Sequence, residues 1–155
     1  MVESGQRRAS GDVHAVLLPT AGYPLLIPSN MVAEVVTVAE LKPLADTANW
    51  VMGYFVWRDR AVPLVTFEVM CGSSWPEIRS RFVVCYPLPD RQANDYFAFV
   101  AGGNPHSVSV GPSSEVQTIP KSIPAGLVGG ALKVEDSVAL IPDFETCGRL
   151  FYGNS

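Results

Sequence analysis

The sequence predicts an all-β protein, a barrel or sandwich of short strands. Apolar runs rich in Val, Ile, Leu, Phe and Trp recur along the chain, and clusters of Gly, Pro, Asn and Asp interrupt them about every ten residues. Helical signals are confined to short segments. Together these give roughly eight to ten strands.

Residues 13–18 and 23–27 flank Pro19-Thr20-Ala21-Gly22 and read as strand, tight turn, strand. Pro28-Ser29-Asn30 offers an N-cap for a brief helical turn at Met31-Val32. Residues 33–38 return to β-branched side chains as a third strand, in which Glu34 is a lone charge. Leu41-Lys42-Pro43-Leu44 is a loop, because a proline after Lys42 disfavours helix there.

Residues 50–67 form the central hairpin, two apolar runs around a three-residue charged tip, Arg58-Asp59-Arg60. The first run is apolar at every position, which predicts a strand buried on both faces. The second carries Pro63, which predicts a sheet edge or a bulge.

Residues 67–71 close the hairpin with one helical turn, and Gly72-Ser73-Ser74-Trp75-Pro76 is a break between halves. Residues 81–86 are a strong strand, 87–94 a polar loop and 96–101 another strand. Gly102-Gly103-Asn104-Pro105 then turns into 106–110 as a further hairpin. Within the Pro-, Ser- and Gly-rich segment 111–126, residues 116–119 are able to pair. A last hairpin joins 127–134 to 137–141 through Glu135-Asp136. Pro142-Asp143 starts a short helix with Phe144, Cys147, Leu150 and Phe151 on one face. No repeat of fixed period is evident.

At 155 residues the chain is one domain, or two small subdomains sharing a core. Residues 1–11 read as a disordered tail and 12–155 as the domain. A hydrophobic content of 48% ensures a substantial core. A net charge of −4 argues against nucleic acid, which wants a basic face. Cys71, Cys85 and Cys147 lack metal-ligand spacing and suggest buried apolar roles in a reducing compartment. Arg7-Arg8 before the apolar stretch 13–27 imitates a signal peptide, but Asp12 and His14 interrupt it and Pro19 and Pro24 break it. No run reaches the length of a membrane span, so a cytoplasmic protein without direct membrane insertion is expected.

Chemistry is sparse. Gly102-Gly103 and Gly129-Gly130 lack the rest of a phosphate loop, and no His, Cys or carboxylate cluster has zinc-like spacing. Glu135-Asp136 is a turn, and Asp143 and Glu145 are helix N-terminal charges. No catalytic residue, metal or cofactor is expected. The alternative, a small-ligand-binding or esterase-like β-barrel enzyme, requires a closed, polar-lined cavity near His14 or His106. The charged tip itself admits two readings. It is a plain solvated turn, or, if the strands of Glu34 and Arg58 pair, a carboxylate–guanidinium contact orients Arg58 for recognition. As an exposed pair that contact is worth only about 0–1 kcal/mol.

Three segments in combination carry a resemblance: Val32-Ala33-Glu34-Val35, Trp50-Val51-Met52-Gly53, and Arg58-Asp59-Arg60-Ala61-Val62-Pro63-Leu64-Val65. Their order and spacing resemble the CheW-like chemotaxis adaptor family, with its V-x-E-[IV] strand, apolar-x-G segment, Arg-Gly turn and V-P-[IVL]-[IV]-D-[LF] strand. The match covers roughly residues 13–72. Asp59 stands where the family usually has Gly and Thr66 where it has an acid. The family's second-half G-[LIV]-x-V-D-x-V signature is replaced by Phe99-Val100-Ala101-Gly102-Gly103-Asn104-Pro105. The chain looks like a divergent member, similar to the auxiliary CheW-like proteins of pilus and surface-motility chemosensory systems.

The resemblance implies two intertwined five-stranded SH3-like β-barrels and no enzymatic activity. It implies an adaptor that couples the regulatory domain of a CheA-type histidine kinase to the hairpin tip of methyl-accepting chemotaxis receptors, with the kinase-facing surface on the first barrel. The residues it marks for receptor or kinase binding are Val32, Glu34, Gly53 and Arg58. Val32 and Glu34 share a face if their strand is regular, and Gly53 leaves room for another backbone. A receptor helix lying in a groove near Val32 and Gly53, with Arg58 on its rim, is therefore expected.

Overall fold

The computed structural model describes residues 12–20, 22–37, 40–44, 49–70, 81–88 and 95–147. Eleven strands run through them: β1 Val13–Leu18, β2 Leu25–Pro28, β3 Val32–Thr37, β4 Val51–Trp57, β5 Arg60–Val65, β6 Arg81–Cys85, β7 Phe97–Ala101, β8 His106–Val110, β9 Val116–Gln117, β10 Val128–Val134 and β11 Ser137–Pro142. A 3-10 turn occupies Ser29–Met31 and one helical turn, α1, occupies Phe67–Met70. The expected tail 1–11, the break 72–76, Cys71, Leu150, Phe151 and residues 89–94 of the polar loop lie outside the described residues.

The strands form two sheets, ordered β8-β1-β2-β11-β10-β9 and β3-β6-β7-β5-β4. The middle of the chain builds the second sheet and both flanking parts build the first, which is how the two barrels come to be intertwined. Each sheet encloses its own core. Ala15, Leu17, Leu26, Val134 and Ala139 fill the first, and Phe55, Trp57, Val62, Leu64, Phe82, Val84, Ala98 and Val100 fill the second. A third core lies where the two barrels meet and includes Leu18, Ile27, Val83, Phe97, Phe99 and Leu140. The first sheet has six strands rather than five because the two-residue β9 extends it.

The strand buried on both faces is β7, not β4. Phe97, Phe99 and Ala101 enter the shared core while Ala98 and Val100 enter the second barrel, so every residue of β7 is buried. This is why it reads as a continuous apolar run. The equally apolar β4 lies at the end of its sheet. Gly53, Phe55 and Trp57 are buried but Val56 is 59% exposed, so its outward face is simply apolar. Pro63 is tolerated in the interior strand β5 for a local reason. Its partner Tyr54 spends its N–H and C=O on Lys42, at 2.9 and 2.7 Å, so the Tyr54–Pro63 pair exchanges no ladder bonds.

The expected hairpin between β7 and β8 does not form. β7 pairs with β6 and β5, whereas β8 pairs with β1 in the other sheet. Gly102-Gly103-Asn104-Pro105 carries the chain between barrels, and the Gly102 N–H donates to the Pro19 carbonyl on the way. The charged tip is also shorter than expected. Trp57 pairs with Arg60, leaving a two-residue turn in which Arg58 and Asp59 have φ of 50° and 63°, the type I′ signature. The turn at 29–31 begins before the expected Met31-Val32, and Pro28 supplies no side-chain cap.

The structure discloses an internal repeat. The β4–β5 hairpin and the β10–β11 hairpin each turn on two residues of positive φ, Arg58-Asp59 and Glu135-Asp136. Each has a bulge near its start, at Val51/Gly53 and at Val128/Gly130. Each sends its second strand into a parallel pair, β5 with β7 and β11 with β2. Each ends in a helical turn, at Phe67–Met70 and at residues 144–147. The Thr66 N–H donates to the Trp50 carbonyl in one half, as the Asp143 N–H does to Leu127 in the other, both at 2.9 Å.

Candidate functional site

Two edge strands make the site. β3 and β4 stand at opposite ends of the five-stranded order and share no ladder. The sheet curls until they meet through side chains. Glu34 Oε1 accepts from Trp57 Nε1–H at 2.9 Å and from Arg58 Nη2 at 3.1 Å. The anticipated Glu34–Arg58 contact is therefore present, but barrel closure produces it and strand pairing does not. Arg58 also lies over the indole, with its guanidinium carbon 4.5 Å from the centroid. Tyr96 packs beside Trp57 at 5.1 Å, Arg60 lies over Tyr96 at 5.0 Å, and Tyr86 extends the row at 6.0 Å.

The outer end of this row is open to solvent. The Arg58 and Glu34 side chains are 62% and 43% exposed, while Trp57 is buried. Glu34 Oε2 is left without a protein partner among the described residues, and Arg58 spends one of its five donors on Glu34. Nothing in the motif marked Trp57, Tyr96, Tyr86 or Arg60. The available signal was an indole placed immediately before Arg58, in a run otherwise suited to filling a core.

Val32 and Gly53 do not join Glu34 and Arg58. A bulge between Val32 and Glu34 breaks the two-residue alternation, so the two do not share a face. Val32 is half-buried and packs on the shared core, while Ala33 and Val36 turn into the second barrel. Gly53 is buried with φ of 141°, and a Cβ there would sit 2.5 Å from the Lys42 carbonyl oxygen. The backbone that approaches Gly53 belongs to this chain: Lys42 occupies the space that the missing side chain leaves.

An apolar groove opens elsewhere. Val13, His14, Pro28, Ser29 and Asn30 line an open cleft of about 530 Å³, with Asn30 immediately before Met31 in the chain. It adjoins a smaller cleft of about 150 Å³ walled by Val13, Ala15, Leu26, Pro28, Val110 and Ile141. The cleft beside His14 is open and mostly apolar. Among the described residues no group of three or more His, Cys, Asp or Glu is placed to hold a metal.

The first barrel has its own closing pair. His106 Nε2 meets both carboxylate oxygens of Glu135, at 3.0 and 3.1 Å, and Nδ1 lies 3.3 Å from the Asn104 carbonyl. The Glu135 hydrogen bond first, then the Asn104 carbonyl, raise the His106 pKa above its ordinary value of 6.5. Cys85 and Cys147 are buried, and burial pushes the Cys85 thiol far up, which keeps it protonated and inert.

A family model for CheW-like domains matches residues 14–149. The chain belongs to the CheW-like family. Its fold is similar to that of the scaffolding protein TtCheW from Thermoanaerobacter tengcongensis, with a TM-score of 0.75 over 100% of this chain and 97% of that one, at 15% identity. No curated protein matches the chain. Membership makes this CheW-like chain a chemotaxis scaffold or adaptor domain, in a family of non-catalytic scaffolds. Among the described residues, no helix of the CheW-like chain is long and apolar enough to cross a membrane.

Proposed function

We propose that the chain is a cytoplasmic adaptor that couples methyl-accepting receptors to the regulatory domain of a CheA-type histidine kinase. The observation that carries this reading is the rim assembled across the barrel's closing edge. Glu34, Trp57 and Arg58 are already in place, and much of the guanidinium is left to meet a partner. Arg and Trp are over-represented among residues that dominate interface energetics, and a pre-ordered arginine loses less entropy on binding.

The receptor's helical tip fits the open groove of Val13, His14, Pro28, Ser29 and Asn30 better than a site at Gly53. Val32 follows the 3-10 turn whose Ser29 and Asn30 line that groove, and itself packs on the shared core. An apolar helix ridge would bury there, in the helix-in-groove mode. Contacts of this size are individually modest, and many copies in an array supply the net hold.

Isothermal titration of two variants against a receptor hairpin fragment and a kinase regulatory domain, each alone, tests the proposal. Val13→Asp puts a charge in the groove at an exposed position and abolishes receptor binding while kinase binding survives. Arg58→Ala weakens at least one partner several-fold with the fold intact. Full retention of both affinities in both variants contradicts the reading.

A further inference from the structure

We infer that Trp57 is the positioning residue of the Glu34–Arg58 surface, the group that fixes both charges in one geometry ready for a partner's acceptor oxygen. The inference rests on the adaptor reading for its purpose but on separate geometry for its content. An exposed arginine and an exposed glutamate hold each other weakly, since two long side chains must be ordered against solvent competition. Here neither depends on the other alone. The indole N–H donates to the same Oε1 that receives Arg58, and the indole face carries the guanidinium. A cation over an aromatic face adds about 0.5–1 kcal/mol at an exposed site.

Trp57 is able to do this because it is itself immobilised. It is buried among the side chains of the second barrel and braced by Tyr96 at 5.1 Å. Its two contacts leave the interior at the one place where β3 and β4 meet without a ladder. The internal repeat supplies a comparison within the molecule. The position matching Trp57 in the β10–β11 hairpin is Val134, the turn residue matching Arg58 is Glu135, and the edge-strand partner is His106. That pair has no indole, and the Asn104 carbonyl takes the second ring nitrogen instead.

Arg58 donors not spent on Glu34, together with Glu34 Oε2, then face outward as a fixed donor–acceptor edge. A carboxylate or carboxamide oxygen on the partner answers the guanidinium.

The test uses the full chain without any partner, so it fails or succeeds apart from the adaptor reading. The Arg58 Nε–Hε order parameter is measured by ¹⁵N relaxation in wild type, Trp57→Phe, Trp57→Leu and Glu34→Gln. The native value lies near that of rigid backbone, about 0.8, and Trp57→Leu drops it below about 0.6. Trp57→Phe, which keeps a ring face but has no N–H, falls between them. A value below about 0.6 in wild type overturns the inference. So does a native-like value in Trp57→Leu, or a loss in Glu34→Gln with none in either Trp57 variant. Unchanged amide shifts across β3–β7 in Trp57→Phe establish that the fold persists, so that variant decides the question even if Trp57→Leu unfolds.

Discussion

Gly53 and Gly126 separate two costs that a glycine substitution usually mixes. Gly126 has φ of 88° with nothing within 4 Å of an added Cβ, so Gly126→Ala costs only backbone strain, about 1–2 kcal/mol. Gly53→Ala adds a clash with the Lys42 carbonyl, a backbone atom that cannot swing away, and should cost about 2–4 kcal/mol. Urea midpoints of the two variants check the order. The site's two charges differ in the same way. Arg58→Ala changes stability by under about 1 kcal/mol, because its pair is exposed. Glu34→Ala strands the part-buried indole N–H as well and costs about 1–2 kcal/mol. The His106–Glu135 pair adds a pH signature. Its stabilisation is fully present below the ordinary histidine pKa of 6.5 and is lost as pH rises through the raised folded value. A ¹³C-detected titration of His106 should move down toward 6.5 in Glu135→Gln.

At the scale of elements, the two departures from the family pattern at 59 and 66 acquire physical meanings. Asp59 holds φ of 63°, a conformation glycine adopts freely, so Asp59→Gly should raise stability by about 0.5–1 kcal/mol in thermal unfolding. Thr66 immediately precedes α1 with its hydroxyl fully buried and without a partner among the described residues. Its counterpart Asp143 accepts the Thr146 N–H through Oδ1 and caps the matching turn. Thr66→Val removes the unsatisfied hydroxyl and should be neutral or stabilising by about 1 kcal/mol. Most strands were legible in the sequence, because β-branched runs between turn residues leave little choice locally. What joined to what was less so. Gly102-Gly103-Asn104-Pro105 announces a reversal but not which sheet receives the next strand. The apolar runs of β4 and β7 look alike although one is an edge and the other a doubly buried wall.

The whole molecule is two versions of one barrel that exchange strands across a shared core. The spacing that records it, Gly53, Asp59, Phe67 and Glu68 against Gly130, Asp136, Phe144 and Glu145, is visible in the sequence once the two hairpins are superposed. It is too sparse to be noticed beforehand. Glu34 and Arg58 were identifiable from their motif, yet their meeting depends on the curl of a five-stranded sheet, a property of no local segment. Trp57 gives no signal of its own because a tryptophan in an apolar run is ordinarily core, and here it is core while its indole also meets Glu34 and Arg58. The apolar groove at Val13 and Pro28 and the charged rim at Arg58 are two separate surfaces, and the proposed adaptor role assigns one partner to each. Sedimentation velocity of the chain, a receptor hairpin fragment and a CheA-type kinase regulatory domain, run singly, in pairs and together, tests that claim most directly. A faster boundary containing all three components is expected, and it disappears when this chain is left out. A chain that sediments alone in the presence of both partners would contradict that claim.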